Sequence, residues 1–142
     1  AHPAQLLWGV RQALAPGGVL VVVELASLPC FFSDPNAALI EQRCHAAASA
    51  EGWNRHPDWA PLIEAAGFVV TKSEVMDLAP VTPAAREYAQ QWIARFLNLA
   101  ALTADERNAV EDLLERCIDV ELEPRATRSV WVATSDQTPE KS

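Results

Sequence analysis

The stretch that most constrains this chain is Leu14-Ala15-Pro16-Gly17-Gly18-Val19-Leu20-Val21-Val22-Val23-Glu24. Leu6, Leu7, Val10 and Leu14 recur at helical spacing ahead of it, so the pattern predicts a helix over 3–14. The Pro-Gly-Gly turn then ends that helix, because proline cannot continue it and glycine admits positive φ. Five consecutive aliphatic residues follow, four of them valine. A strand over 18–25 that is apolar at every position predicts cover on both faces, as in the middle of a parallel sheet. It stops at Glu24. Ligands of open α/β sheets lie outside the carboxyl ends of the strands, which makes Glu24 and the residues after it a candidate site.

The rest of the chain alternates helix and strand. After a loop over 26–33, Asp34-Pro35 reads as an N-cap followed by proline at the first helical position. The alanine-rich helix it opens runs to about Glu51, with Leu39, Ile40, Cys44 and Ala47 as its apolar stripe. Gly52 to Arg55 is a turn. Pro57 is expected to open a short helix over 57–66, closed by Gly67. Phe68 to Leu78 reads as a strand with one wet face or edge, since Lys72, Ser73, Glu74 and Asp77 interrupt it. Residues 80–83 form a linker, and Thr82-Pro83 starts a helix to about Ala101 with Tyr88, Trp92, Phe96, Leu99 and Ala100 along one side. Thr103-Ala104-Asp105-Glu106 is a capping box. Its helix runs to about Val120, with Val110, Leu113, Leu114, Cys117 and Ile118 at helical spacing. A third strand spans Arg128 to Ser135. The fold class is therefore α/β.

Composition narrows the function. Eleven basic against 19 acidic residues give a net charge of −8. With no basic cluster, neither nucleic acid nor an anionic membrane is an expected partner. No apolar run reaches transmembrane length, and no signal peptide is visible. Cys30, Cys44 and Cys117 are odd in number and lack metal-ligand spacing, which suits small buried hydrophobes in a reduced, cytoplasmic chain. No metal is expected. The polar stretch 136–142 reads as a disordered tail.

Two segments carry a resemblance. Leu14-Ala15-Pro16-Gly17-Gly18 leading into a valine strand that ends in Glu24 resembles the turn into the fifth strand of class I S-adenosylmethionine-dependent methyltransferases. Trp59-Ala60-Pro61-Leu62-Ile63-Glu64-Ala65-Ala66-Gly67-Phe68 is similar to that family's next helix and the start of its sixth strand. Residues 129–134 would be its antiparallel seventh strand. The resemblance covers most of 6–135. The family's glycine-rich loop, its ribose-binding acidic residue and its adenine-side residues have no counterpart here, and the five glycines offer no phosphate-type loop. The resemblance thus implies the C-terminal half of a Rossmann-like methyltransferase sheet, one partial domain over 1–135. Its methyl donor, S-adenosylmethionine, would be held mainly by residues outside this chain, which alone is expected to be inactive.

The resemblance also implies where an acceptor lies. The fifth and sixth strands point their carboxyl ends at the active site, so insertions 26–56 and 78–127 would roof it. Phe31, Phe32, Trp53, Tyr88 and Trp92 would line a pocket for a small organic acceptor, and Glu24 and His56 are the candidate bases or orienting groups. Plainer roles fit each residue. Glu24 suits capping of a nearby backbone group, and His45 and His56 suit surface or satisfied-core positions. The Tyr88/Trp92/Phe96 stripe suits helix packing, and adjacent Phe31 and Phe32 point opposite ways if extended. The rival function is a non-catalytic binding or dimerising module. On either reading the bare edge of strand 18–25 predicts a homodimer or a domain-swapped dimer.

Overall fold

A computed structural model describes residues 2–78 and 83–135. The expected start at Thr82, most of the linker and the tail over 136–142 lie outside them. The elements are α1 (Pro3–Ala13), β1 (Val19–Leu25), α2 (Pro35–Ala50), α3 (Ala60–Ala65), β2 (Phe68–Leu78), α4 (Ala84–Phe96), α5 (Ala104–Arg116) and β3 (Ala126–Ser135). The chain is α/β, with a three-stranded antiparallel sheet in the order β1-β3-β2. β1 and β3 pair antiparallel from Val19 opposite Thr134 to Leu25 opposite Arg128.

Contacts divide the chain into two compact units. Among the described residues, the first comprises 2–26, 56–76 and 128–135, and the second comprises 27–55, 77–78 and 83–127. In the first, α1 and α3 pack together, and Leu7, Ile63, Phe68, Trp131 and Ala133 form the core. Leu20 and Val22 of β1 pack against that core. Gly17 and Gly67, at φ +76° and +88°, make the turns after α1 and α3 in the left-handed region glycine favours.

The sequence expectation for β1 is corrected here. β1 is an edge strand with one open face rather than a strand covered on both: Val19, Val21 and Val23 are 54–57% exposed while Leu20 and Val22 face the core. The residue type is apolar throughout, but the period-2 geometry of a strand sends alternate side chains to opposite faces, and among the described residues the core packs against Leu20 and Val22 alone of this run.

Several boundaries move for local reasons. α1 is capped by His2, whose ring accepts from Ala4 N at 3.3 Å. α3 begins at Ala60 rather than Pro57, because the Asp58 carboxylate accepts from Ala60 N at 3.0 Å and sets the first turn there. α4 ends at Phe96 and α5 at Arg116, each continuing as turns. β3 gains Ala126 and Thr127 at its start.

In the second unit α5 packs on α2 and α4. The expected capping box forms: Glu106 N donates to Thr103 Oγ1 at 3.1 Å, and Thr103 N donates to Glu106 at 2.8 Å. The core is Phe31, Phe32, Trp92, Ile93, Phe96, Leu99, Val110, Leu113 and the small residues of α2. Two residues of the predicted apolar stripes face water instead, Leu39 at 64% and Ile118 at 61% exposed.

Candidate functional site

The site grows from the buried face of α2. Ala37, Glu41, Cys44 and Ala48 follow one another at helical spacing and are all buried. Glu41 is the only buried charged side chain among the described residues, 1% exposed. Its carboxylate accepts from Phe31 N at 2.7 Å and from Phe32 N at 3.2 Å. The loop before α2 is held from other sides too. Arg125 donates through Nη2 to Phe32 O at 2.7 Å, and its backbone exchanges two bonds with Cys30 at 2.8 and 3.0 Å. His45 meets Pro29 O at 3.0 Å. Four consecutive loop residues are thus fixed by one carboxylate, one guanidinium, one imidazole and a β-bridge.

Beside this clamp lies a cavity of about 440 Å³. Ser27, Cys30, Glu41, Gln42, His45, Arg125 and Thr127 supply its polar lining, and Leu28 and Ala38 the rest. The Ser27 and Thr127 hydroxyls bond each other at 2.9 Å. Ser27 is the second residue beyond the carboxyl end of β1. The volume falls within the range of small-molecule sites.

Burial governs the chemistry of these groups. It raises the pKa of Glu41, outweighing the two N–H bonds and the Arg125 charge that favour the carboxylate. It lowers that of His45 against the opposing bond to Pro29. A carbonyl only accepts, so the His45 proton sits on Nε2, and the neutral ring keeps an acceptor at Nδ1. Burial, then the Glu41 charge, raises the Cys30 thiol against Arg125. Cys44 and Cys117 are pushed to about 11 by burial first and Glu41 second. All three thiols therefore feel the same carboxylate; Cys44 and Cys117 are buried as well, while Cys30 is only partly buried. No group of three or more His, Cys, Asp or Glu among the described residues could hold a metal ion.

The expected site residues fall in two places. Glu24 is part-buried in the first unit, where it accepts from its neighbour Leu25 N at 2.8 Å, a local cap. His56, also in the first unit, is exposed and stands edge-on to Trp59 at 6.4 Å. The aromatic residues gather in the second unit. Phe31 meets Tyr88 edge-on at 5.6 Å, Tyr88 meets Trp92, and Trp92 and Trp53 both meet Phe96. Phe31 and Phe32 are both buried, at 0% and 2%, with Arg116 over the Phe32 ring. None of these aromatics lines the cavity beside Glu41. Glu41 and Arg125 escaped the sequence reading. One signal was available for Glu41: it sits four residues after Ala37 and three before Cys44, inside an otherwise small and apolar stripe.

No family model matches the chain, and no curated protein matches it. Among solved structures, it is similar to Haemonchus contortus phospholethanolamine N-methyltransferase 2, determined with phosphomonomethylethanolamine and S-adenosylhomocysteine. The identity is 16% and the TM-score 0.31, over 94% of this chain and 30% of that one. This chain therefore spans under a third of that enzyme's length.

Proposed function

We propose that the chain is the acceptor-side part of an S-adenosylmethionine-dependent methyltransferase that acts on a small organic molecule. The observation that carries the reading is the course of the last strand. β3 runs antiparallel to β1 and lies between β1 and β2, and those strands are entered by the Pro16-Gly17-Gly18 and Ala66-Gly67-Phe68 turns on which the resemblance rests. A strand that returns against the direction of its neighbours is what the resemblance requires of residues 129–134. On this reading Phe31, Phe32, Trp53, Tyr88 and Trp92 are the residues proposed to bind the acceptor. The transfer itself is catalysed chiefly by proximity and orientation. Glu24 and His56 are the residues proposed to orient the acceptor or take its proton.

The test is calorimetric titration of S-adenosylhomocysteine into this chain and into the whole product of its gene. Binding to the whole product alone is the expected result. Absence of binding to both refutes the reading, and binding to the short chain by itself refutes the placing of the methyl donor outside these residues. In the active whole product, Glu24→Gln or His56→Asn should lower kcat by tenfold or more if that residue acts on the acceptor; an unchanged kcat returns Glu24 to a plain cap and His56 to a surface residue.

A second reading is favoured by the open face of β1. Valines 19, 21 and 23 present a contiguous apolar row on an edge strand, a template for association. We propose self-association through this strand. Light scattering should find a dimer that Val21→Lys converts to monomer. A wild-type chain that stays monomeric at high concentration refutes it.

A further inference from the structure

The cavity beside Glu41 contains two opposite charges that do not pair with each other. Glu41 and Arg125 both line it, and they lie within electrostatic reach of one another. Yet the ion pairs among the described residues are Arg43–Glu106, Lys72–Glu74 and Arg116–Asp34, so no Glu41–Arg125 contact closes within 4 Å. Each charge is instead held by the same short piece of backbone, Glu41 by Phe31 N and Phe32 N, and Arg125 by Phe32 O. That leaves capacity on both. A guanidinium carries five N–H donors and a carboxylate about four acceptor positions. One donor side-chain bond and two acceptor bonds are used.

We propose that this cavity binds small zwitterions, with the anionic group of the ligand on Arg125 and its ammonium group on Glu41. The argument is one of exclusion by charge. An anion without a cationic end gains Arg125 but faces a buried carboxylate. A cation without an anionic end gains Glu41 but faces the guanidinium. Only a ligand with both signs satisfies both walls; Glu41 is buried and little screened by water, whereas Arg125 is exposed and acts as the outer, more screened wall. The Ser27 and Thr127 hydroxyls and the Gln42 amide add neutral hydrogen-bonding groups around the cavity without changing the charge requirement. His45, neutral and tied to Pro29 O, adds an acceptor and no competing positive charge. The inference deepens the acceptor-side reading and rests on it only for calling the ligand a methyl acceptor. Its binding test needs no methyl donor, so the failure of either claim can be told from failure of the other.

The experiment titrates 5-aminopentanoate into the chain at pH 8 by calorimetry, beside pentanoate and pentylamine as single-charge probes of the same length. Glycine, 4-aminobutanoate and 6-aminohexanoate test other spans. Alkylation of Cys30 by a maleimide, mapped by mass spectrometry, reports occupancy of the cavity, because Cys30 lines it while Cys44 and Cys117 are buried controls. The expected result is at least one amino acid binding tenfold or more tighter than both single-charge probes, slowing Cys30 alkylation several-fold, and losing tenfold or more in affinity in Arg125→Gln. Equal binding of a single-charge probe overturns the proposal. So does no binding at any span, or binding that leaves the Cys30 rate unchanged. The Cys30 measurement is made on the unmodified chain, so the test stands even where Arg125→Gln does not fold.

Discussion

Replacing Glu41 tests the central claim about the clamp, that one buried carboxylate holds the Phe31–Phe32 backbone. In Glu41→Ala both amide donors lose their partner. A buried donor left unpaired costs about 1–3 kcal/mol, so the pair costs about 2–6 kcal/mol, a large part of the roughly 5–15 kcal/mol that holds a typical domain folded. Glu41→Gln keeps one oxygen for one amide but turns an N–H₂ toward the other, so it should cost about 1–3 kcal/mol. Urea unfolding followed by circular dichroism at pH 7 measures both. The order expected is wild type, then Gln, then Ala. A cost below about 1 kcal/mol for Glu41→Ala would refute the argument, because two unpaired buried donors cannot be that cheap.

The pH dependence of the same comparison has a definite sign. Burial raises the folded-state pKa of Glu41 above its ordinary value, so the folded chain holds the proton more firmly than the unfolded chain. The stability this contributes is fully present below the ordinary carboxylate pKa and is lost as pH rises through the folded value. The advantage of wild type over Glu41→Gln should therefore be largest near pH 4 and shrink toward neutrality. Asp34 and Glu106, whose pKa values are lowered by the Ala37 amide and by Arg43 respectively, titrate in both proteins and cancel from the difference. A gap that widened with pH would mean that the two amide bonds outweigh burial.

Three further outcomes can be checked. Gly67→Ala should destabilise by about 1–2 kcal/mol in urea unfolding, the cost of a left-handed residue with a Cβ; the collision of that Cβ with Arg11 at 2.8 Å is relieved by moving a flexible side chain. Thr103→Ala should cost about 1 kcal/mol through loss of the cap, also read by urea unfolding, and Thr103→Ser should restore most of it. At pH 8 a disulfide reagent should modify Cys30 first and leave Cys44 and Cys117 unmodified until denaturant is added, since a thiol at about 11 is only about one part in a thousand ionised there; equally fast reaction of all three would contradict their burial.

Where local chemistry decides structure, the sequence was legible. Asp34-Pro35 opens α2, the capping box opens α5, and Gly67 closes the turn after α3, each through interactions within a few residues. The misses lie mostly where distant residues decide, the start of α3 being a local exception. Pro57 suggested a helix start, but the Asp58 side chain selects Ala60. The valine run of β1 suggested cover on both faces, but residue type cannot say how many faces have a helix to meet. Leu39 matched the apolar stripe of α2, while the chain buried Glu41, because the loop supplies two amides that only an acceptor can satisfy. Arg125 carried no local signal at all: its partners lie more than 90 residues earlier.

Glu106 belongs to two structures formed at different range. One oxygen accepts from Thr103 N, three residues away, and the other from Arg43 Nε, 63 residues away on α2. Arg43 also donates to Ala101 O, just ahead of the cap. A helix start forms within a microsecond, far sooner than a long chain segment finds its place. If the cap forms first, the carboxylate is already immobilised when α2 arrives, and only the arginine must give up its rotamers to make the contact. In that order the start of α5 would serve as a pre-shaped receptor and α2 as its late ligand, and loss of Thr103 is expected to slow the docking of α2 in folding kinetics.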